Sequence, residues 1–294
     1  MLGSEFVRNY APKGLHAWEA AAFELARQDA VSGQFSSLTP WPWVDLVLSD
    51  GVNHAILKVQ LDVLSIGPTE DYVRLPLTPS KAQDIFNLFG WVLPTPWLVY
   101  QIWRNSPNKL EPTPLPNKGA DLLQYAVHSS VIDQQLEKQT GARVPSQGVS
   151  GHKKHVVVSN IYQPGKVLIF GFYHPAPDVW PSNGIPYPSP ARQPIQPDSN
   201  VHGDFYVDYS HGIQAIGPVA IVNGQAMDMV ELYQHPTFSK LVSKEGPIRV
   251  PRYPSRVTPA VGRPVHSTQF PTNDVVIATT TPNPADVVLN QFRK

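Results

Sequence analysis

Side chains suited to acid–base chemistry are concentrated between positions 151 and 212. Five of the ten histidines lie in this stretch, and the last two bracket the segment HGDFYVDYSHG. Histidine beside carboxylates and hydroxyls near strand ends is a common arrangement for general acid–base catalysis. We therefore predict one chemical centre here, with the catalytic candidates Asp208, His211, His174, Tyr206 and Ser210.

A second set of side chains in the same region could contact a substrate. The segment GHKKH is either a basic turn that binds a carboxylate or sulfate, or a solvated turn without a ligand. Aromatic rings beside the proline-rich stretch that follows could stack on sugars or pack against prolines. The substrate-binding candidates are His152, Lys153, Tyr173, Trp180 and His202, with Tyr187 also beside the long loop.

Strand geometry limits how these side chains could act together. If residues 203–212 form a regular strand, His202 and Asp208 lie roughly 20 Å apart, because each residue advances about 3.3 Å. A Ser–His–Asp relay confined to this segment is then poorly supported, and partners must come from other strands, such as His174 or His152. The same alternation of polar and apolar residues also fits an ordinary half-exposed strand without a catalytic role.

Metal chemistry is an alternative to metal-free acid–base chemistry. Two histidines and a carboxylate, with an open position for water, would form a hydrolytic zinc site. The helical HExxH spacing is absent, and two lysines between His152 and His155 would repel a cation. The chain has no cysteine, which excludes disulfides, thiolate ligands and a cysteine nucleophile. We therefore expect no cofactor and keep zinc as the alternative.

Charge and hydrophobicity narrow the classes of partner. The 23 basic and 23 acidic residues balance, whereas nucleic-acid-binding proteins carry a basic excess. No apolar run approaches the roughly 20 residues that span a bilayer. We expect a polymeric carbohydrate or peptidoglycan as partner, with no nucleic acid and no membrane span, and the sequence does not indicate an oligomeric state. Residues 3–6 (GSEF) resemble a cloning linker, so an export signal removed from a secreted or periplasmic protein is the expectation.

The 32 prolines predict short elements separated by long ordered connections. Apolar residues at helical spacing, two Thr-Pro pairs and glycines near the helix ends predict helices over residues 17–32, 79–89, 97–103, 120–138 and 237–243. Residues 43–48 and 55–66 are predicted to form an antiparallel pair, and 156–158, 167–173, 205–216 and 219–222 the strands of one sheet. The predicted class is α+β, with N-terminal helices packed on a mainly antiparallel sheet and long proline-rich loops.

The predicted organisation has four parts. Residues 1–14 are a tag or disordered start, 15–140 a helix-rich part, 141–250 a sheet-rich part with the site, and 251–294 a proline-rich C-terminal wrap. In the helix predicted over 120–138, spacing assigns the apolar face to Leu122, Leu123, Ala126, Val127, Ser130 and Val131.

Two resemblances arise from short motifs. Segments that include DVLSIG (62–67), VRLPLT (73–78), GHKK (151–154) and VDYSHG (207–212) resemble an uncharacterised group of bacterial exported proteins, over about residues 15–250. This resemblance implies export and a single fold rather than a particular reaction. The HG…SHG pattern also resembles the L,D-transpeptidases locally, but Ile213 stands where that family has its nucleophilic cysteine, so its mechanism is not expected.

Three functions are compatible with these observations. The leading hypothesis is an extracellular hydrolase or lyase that acts on a polysaccharide or cell-wall polymer, with Asp208 and His211 as the acid–base pair. In it, Tyr206 or Ser210 is an auxiliary proton donor, and Lys153 with His152 binds substrate charge. The alternative is a non-catalytic carbohydrate- or cell-wall-binding module. The third is a structural protein in which the polar residues form a hydrogen-bonded strand.

Overall fold

Within residues 1–116, 121–173 and 194–260, which the computed structural model describes, helices and short strands form an α+β fold, as predicted. The α-helices are α1 Gly3–Tyr10, α2 Leu15–Ser32, α3 Pro79–Phe89, α4 Pro96–Asn105, α5 Leu123–Thr140, α6 Met229–Gln234 and α7 Ser239–Val242. The strands are β1 Trp43–Ser49, β2 His54–Gln60, β3 Ser65–Ile66, β4 Val73–Arg74, β5 Asn108–Lys109, β6 Val149–Ser150, β7 Lys154–Val156, β8 Ile169–Gly171, β9 Gln196–Ser199, β10 His211–Gly212, β11 Ile216–Val222 and β12 Gln225–Asp228. In these ranges no helix combines the length and apolar character needed to cross a membrane.

Two four-stranded sheets organise the fold. The first has the order β1-β2-β11-β12 and is antiparallel throughout. The second has the order β10-β7-β8-β9, with β10 parallel to β7 and the other pairs antiparallel. The prediction that all strands of the second half share one sheet is wrong, because β11 leaves β10 and pairs with β2. The β11–β2 register shifts between Ile216 and Ala220, where Pro218 has no N–H to donate to the ladder.

One hydrophobic core connects the two sheets and most of the helices. Buried side chains from the first sheet, such as Leu57 and Ala220, belong to the same cluster as Val156 and Ile169 of the second. A smaller cluster packs α4 against the second sheet, where Trp103 contacts Tyr173. The predicted helix-rich and sheet-rich parts therefore share a core.

Local signals in the sequence locate the helix termini. The helices predicted near 79–89 and 97–103 are confirmed as α3 and α4, and each has proline at its first position. Helix α3 ends at Gly90 with φ 75°, the left-handed conformation that glycine adopts most readily.

The Thr95 cap gives a testable contribution to stability. Its Oγ1 accepts a hydrogen bond from Leu98 N at 3.2 Å and donates one to Val242 O, so it joins α4 to α7. Thr95→Ala is expected to lower the free energy of unfolding by about 1–2 kcal/mol, measured by urea titration. Thr237→Ala is the control, because Thr237 is exposed and is not the N-cap of a helix. Equal losses in the two variants would contradict this role of the Thr95 hydroxyl.

The N-terminus differs from the sequence expectation. Residues 3–10 form helix α1 rather than a disordered start, with Phe6 fully buried against Trp18 at a ring-centroid distance of 4.6 Å. Gly3 N also donates a 2.8 Å hydrogen bond to Asp71 O. The disordered start is wrong because Phe6 supplies an apolar side chain that the core accommodates.

Helix α5 turns a different face to the core from the one predicted. Leu123 and Val127 are 52% and 51% exposed. The buried residues are Tyr125, His128, Ser129, Ile132 and Leu136. The predicted apolar face is therefore wrong at Leu123 and Val127, whereas Leu122 is buried and Ala126 packs against the core as predicted. Polar His128 and Ser129 are tolerated inside because Lys153 and Arg74 contact them there.

The start of the predicted C-terminal wrap packs on α3. Ser255 Oγ donates to Asp84 Oδ1 at 2.7 Å, and Ala260 N donates to Asn87 O at 2.7 Å. The remainder of that wrap, residues 261–294, lies outside the described residues.

Candidate functional site

The segment between His202 and His211 is a series of turns. Tyr206 N donates to Gly203 O at 3.0 Å and His211 N donates to Asp208 O at 3.1 Å, and strand structure begins only at His211. The strand predicted over 205–216 is wrong because the Asp208 side chain bonds the following backbone, which favours a turn over a ladder. The turns bring together polar side chains that an extended strand would separate.

Asp208 is the centre of this turn cluster. Its Oδ1 accepts hydrogen bonds from Ser210 N at 2.8 Å and Ser210 Oγ at 2.5 Å, while its Oδ2 accepts one from Tyr206 OH at 2.8 Å. Burial raises the pKa of Asp208, but the attraction of His211 and the Ser210 hydrogen bonds outweigh burial and hold that pKa at about 2. Asp208 is thus an ionised carboxylate at neutral pH, suited to orient its neighbours rather than to donate a proton.

Tyr206 donates a hydrogen bond to Asp208 within this cluster. Burial, and then the hydrogen bond to Asp208, raise the pKa of Tyr206 to about 12, so its hydroxyl keeps its proton at neutral pH. Its ring stacks on His202 at a centroid distance of 3.9 Å and meets His211 edge-on at 5.7 Å. Tyr206 therefore contacts both histidines of the HGDFYVDYSHG segment.

His211 is fully buried, yet neither ring nitrogen has a hydrogen-bond partner among the described residues. Burial lowers the pKa of His211 to about 4 despite the nearby Asp208 carboxylate, so the ring is neutral at pH 7. A neutral imidazole has one N–H and one free lone pair, and leaving both unpaired inside a protein costs free energy. Such a group is ready to accept a proton from a ligand or to bond to one.

Lys154 lies beside His211 in the second sheet. The two residues are register partners of the parallel strands β7 and β10, so their side chains share a face. The Lys154 ammonium lies 5.3 Å from the Phe172 ring centroid and makes no ion pair or hydrogen bond within the described ranges, although its charge helps to lower the pKa of Asp208.

Exposed apolar side chains lie next to this cluster in sequence. Phe205 is 79% exposed and Val201 is 72% exposed, while His202 and Tyr206 are half-buried. The described surface around the turn segment therefore offers aromatic and aliphatic contacts as well as polar groups.

Lys153 points the opposite way from Lys154 and is fully buried. Its Nζ donates to Tyr209 O at 2.6 Å and lies 3.0 Å from His128 Nδ1 of α5. Burial, assisted by the Arg74 charge, lowers the pKa of Lys153 to about 7. The solvated-turn interpretation of Lys153 is wrong, because its ammonium is bonded inside the protein. These internal bonds also leave it no direct path to a substrate charge.

An ion-pair network behind Lys153 was not identified from the sequence. Asp62 Oδ2 accepts from Arg74 Nη2 at 2.7 Å, and Asp62 Oδ1 lies 3.1 Å from His152 Nε2. Arg74 Nη1 also donates to Asp133 Oδ1 of α5 at 2.7 Å. Burial opposes the charges of Asp62 and Arg74, but their mutual attraction lowers the pKa of Asp62 and raises that of Arg74.

This network, which comprises Asp62, Arg74, Asp133 and His152, joins α5 to the turn before β7. His152 is thus a buried partner of Asp62 rather than a surface contact for substrate. In the sequence, Asp62, Arg74 and His152 lie in three separate segments, and no local pattern pairs them.

The remaining candidates have different positions. Tyr173 is buried and stacks on Trp103 at 4.7 Å, which matches the packing interpretation rather than sugar stacking. His174, Trp180 and Tyr187 lie outside the described residues. In the described part of the chain, no group of three or more histidines and carboxylates is arranged to hold a metal ion.

Because buried histidines such as His211 stay neutral in the folded chain, the free energy of unfolding depends on pH. The pKa of His211 is about 4 in the folded chain, against an ordinary 6.5, so between these values the unfolded chain binds more protons. The stabilisation that the neutral His211 ring contributes is fully present above pH 6.5 and is lost as the pH falls through 4. We expect His211 to account for about 3 kcal/mol of lost stability across that window. His155, whose pKa is lowered to about 3, adds to the loss over the same window and extends it below pH 4.

Urea unfolding between pH 7 and pH 4 measures this dependence. His211→Gln should make the curve less steep, with the remaining slope due to other buried histidines such as His155, whereas the control His16→Gln, on the exposed side of α2, should leave the slope as in wild type. Identical slopes for wild type and His211→Gln would show that the ring is protonated or solvated in the folded state.

No family model matches the sequence, and comparison with curated proteins and with solved structures also found no match.

Proposed function

We propose that this chain is a secreted or periplasmic hydrolase or lyase that cleaves a polysaccharide or cell-wall polymer by acid–base chemistry without a cofactor. The observation that carries the proposal is His211, a buried neutral imidazole with both ring nitrogens unpartnered beside an ionised carboxylate. Unsatisfied buried polar groups and strongly shifted pKa values are concentrated at functional sites.

The proposed roles follow from the state of each group. His211 is the general base, since it is uncharged at neutral pH and has a free lone pair. Tyr206 is the proton donor, since its hydroxyl stays protonated and its ring contacts His211. Asp208 is a positioning residue that holds Tyr206 and Ser210 and stabilises the imidazolium formed during the reaction. These roles revise the acid–base pair inferred from the sequence, because a carboxyl group with a pKa near 2 is a poor acid catalyst.

An extended substrate is favoured by the surroundings of the cluster. Phe205 and Val201 are exposed, and aromatic faces commonly contact sugar rings through their apolar surface. The resemblance to exported bacterial proteins supports a substrate outside the cytoplasm.

A product screen tests the proposed function. The purified chain is incubated with mixed polysaccharides and with peptidoglycan, with and without a chelator, and soluble products are identified by mass spectrometry. The expected result is shortened polymer in both conditions. Products that vanish with chelator would replace the cofactor-free mechanism by a zinc-dependent one, and the absence of products from every polymer would overturn the enzyme proposal.

A non-catalytic binding module is the second candidate. The observation that favours it is the exposed Phe205 next to the stacked His202–Tyr206 pair, which could bind a glycan without any proton transfer. Retention on a glycan array with no products in the screen would support this function.

A further inference from the structure

The surface beside His211 carries the positive charge of Lys154, whose attraction helps to lower the pKa of Asp208. The Lys154 ammonium forms no ion pair within the described residues, although it is only half-buried and sits over the Phe172 ring. The neighbouring carboxylate, Asp208, is already bonded to Tyr206 and Ser210. A ligand at His211 would therefore meet an ammonium group with no contact ion pair among the described residues and a carboxylate that already accepts three hydrogen bonds.

The fully buried and unpartnered His211 provides the second, independent indication of a ligand. Because Lys154 and His211 are register partners on one sheet face, a ligand that reaches the imidazole also lies within reach of the ammonium. A lysine ammonium pairs well with carboxylate oxygens, and such charge-assisted hydrogen bonds are stronger than neutral ones. A ligand with a carboxylate next to the reacting atom could interact with both groups, since its carboxylate would pair with the Lys154 ammonium while the reacting atom meets the His211 imidazole.

We propose that the substrate is a polysaccharide containing uronic acid units, and that the chain cleaves it by β-elimination with the uronate carboxylate held by Lys154. This inference rests on the proposed function and specifies its substrate class and reaction. It favours a lyase over a hydrolase because the pairing of a neutral base with a cation suits proton removal from the carbon next to a carboxylate.

The step balances without water or a cofactor. His211 takes the proton from the carbon that bears the carboxylate, and Lys154 stabilises the negative charge that develops on the carboxylate oxygens. The bond between the β carbon and the glycosidic oxygen breaks as the new carbon–carbon double bond forms. The departing oxygen takes the Tyr206 hydroxyl proton. Transfer of a proton from the His211 imidazolium to the Tyr206 phenolate then restores the enzyme.

The direct test compares acidic and neutral polymers. The purified full chain is incubated with polygalacturonate, alginate and hyaluronate, with dextran and starch as neutral polymers, and with peptidoglycan. The expected products carry an unsaturated sugar, seen as new ultraviolet absorbance, and incorporate no label from heavy-oxygen water. Labelled products, or cleavage confined to neutral polymers or peptidoglycan, would overturn β-elimination and leave the proposed function intact. Failure to cleave any polymer would overturn both.

Lys154→Gln tests the contact with the carboxylate. We expect kcat/KM on the cleaved uronate polymer to fall about 10- to 100-fold, the loss typical of one charged hydrogen bond. The control Lys138→Gln, on the exposed side of α5, should match wild type. Methyl esterification of the polymer removes the carboxylate charge, so wild type and Lys154→Gln should then differ little. A loss of equal size on the esterified polymer would contradict charge recognition by Lys154.

Discussion

His211→Gln is expected to lower kcat about 100- to 10,000-fold on the polymer identified by the product screen. The reason is that glutamine can form hydrogen bonds but cannot take up a proton near neutral pH, and general acid–base catalysis contributes a factor of this size. The imidazole has no internal hydrogen bond to lose, since neither ring nitrogen is partnered among the described residues. Initial rates at saturating substrate measure the effect.

Two controls separate catalysis from folding in this experiment. His16→Gln changes an exposed histidine of α2 and should retain the wild-type kcat. The thermal unfolding midpoint of His211→Gln should stay close to that of wild type at pH 7. A folded His211→Gln protein with wild-type turnover would refute the assignment of His211 as the base.

Arg74→Met is expected to lower the free energy of unfolding by about 3–5 kcal/mol. Arg74 is fully buried and bonds both Asp62 and Asp133, so its removal leaves the Asp62 carboxylate buried without its main counterion. Breaking one partner of a buried ion pair has a cost of this order, because a desolvated charge remains. Urea titration at pH 7 measures the change.

Exposed charges provide the matched comparison for Arg74. Arg27 and Glu24 form a surface pair on α2 with both side chains 48% exposed, so Arg27→Met should leave the free energy of unfolding close to that of wild type. The double variant Arg74→Met/Asp62→Leu should recover part of the loss, because the uncompensated carboxylate is gone. A loss at Arg74 no larger than at Arg27 would show that the buried network does not stabilise the fold.

Much of the secondary structure was predictable because its signals are local. The Thr-Pro pairs before α3 and α4 and the glycines after α2, α3 and α5 act within a few residues of each helix end. The β1–β2 pair was likewise indicated by alternating residues around Asp50-Gly51. The α+β class follows from these elements, since each depends mainly on its own neighbours in the chain.

The arrangement of the candidate site depends instead on contacts between distant residues. Periodicity assigned the wrong face of α5 to the core, because the burial of Ser129 depends on Arg74, 55 residues earlier in the chain. The pairing of His152 with Asp62 spans 90 residues, and nothing in either local segment specifies it. Composition and spacing therefore identified the residue types and the fold class. Lys153 lies in the interior, whereas Lys154 lies beside His211. This difference arises from tertiary packing, because the buried Lys153 ammonium contacts groups from other elements.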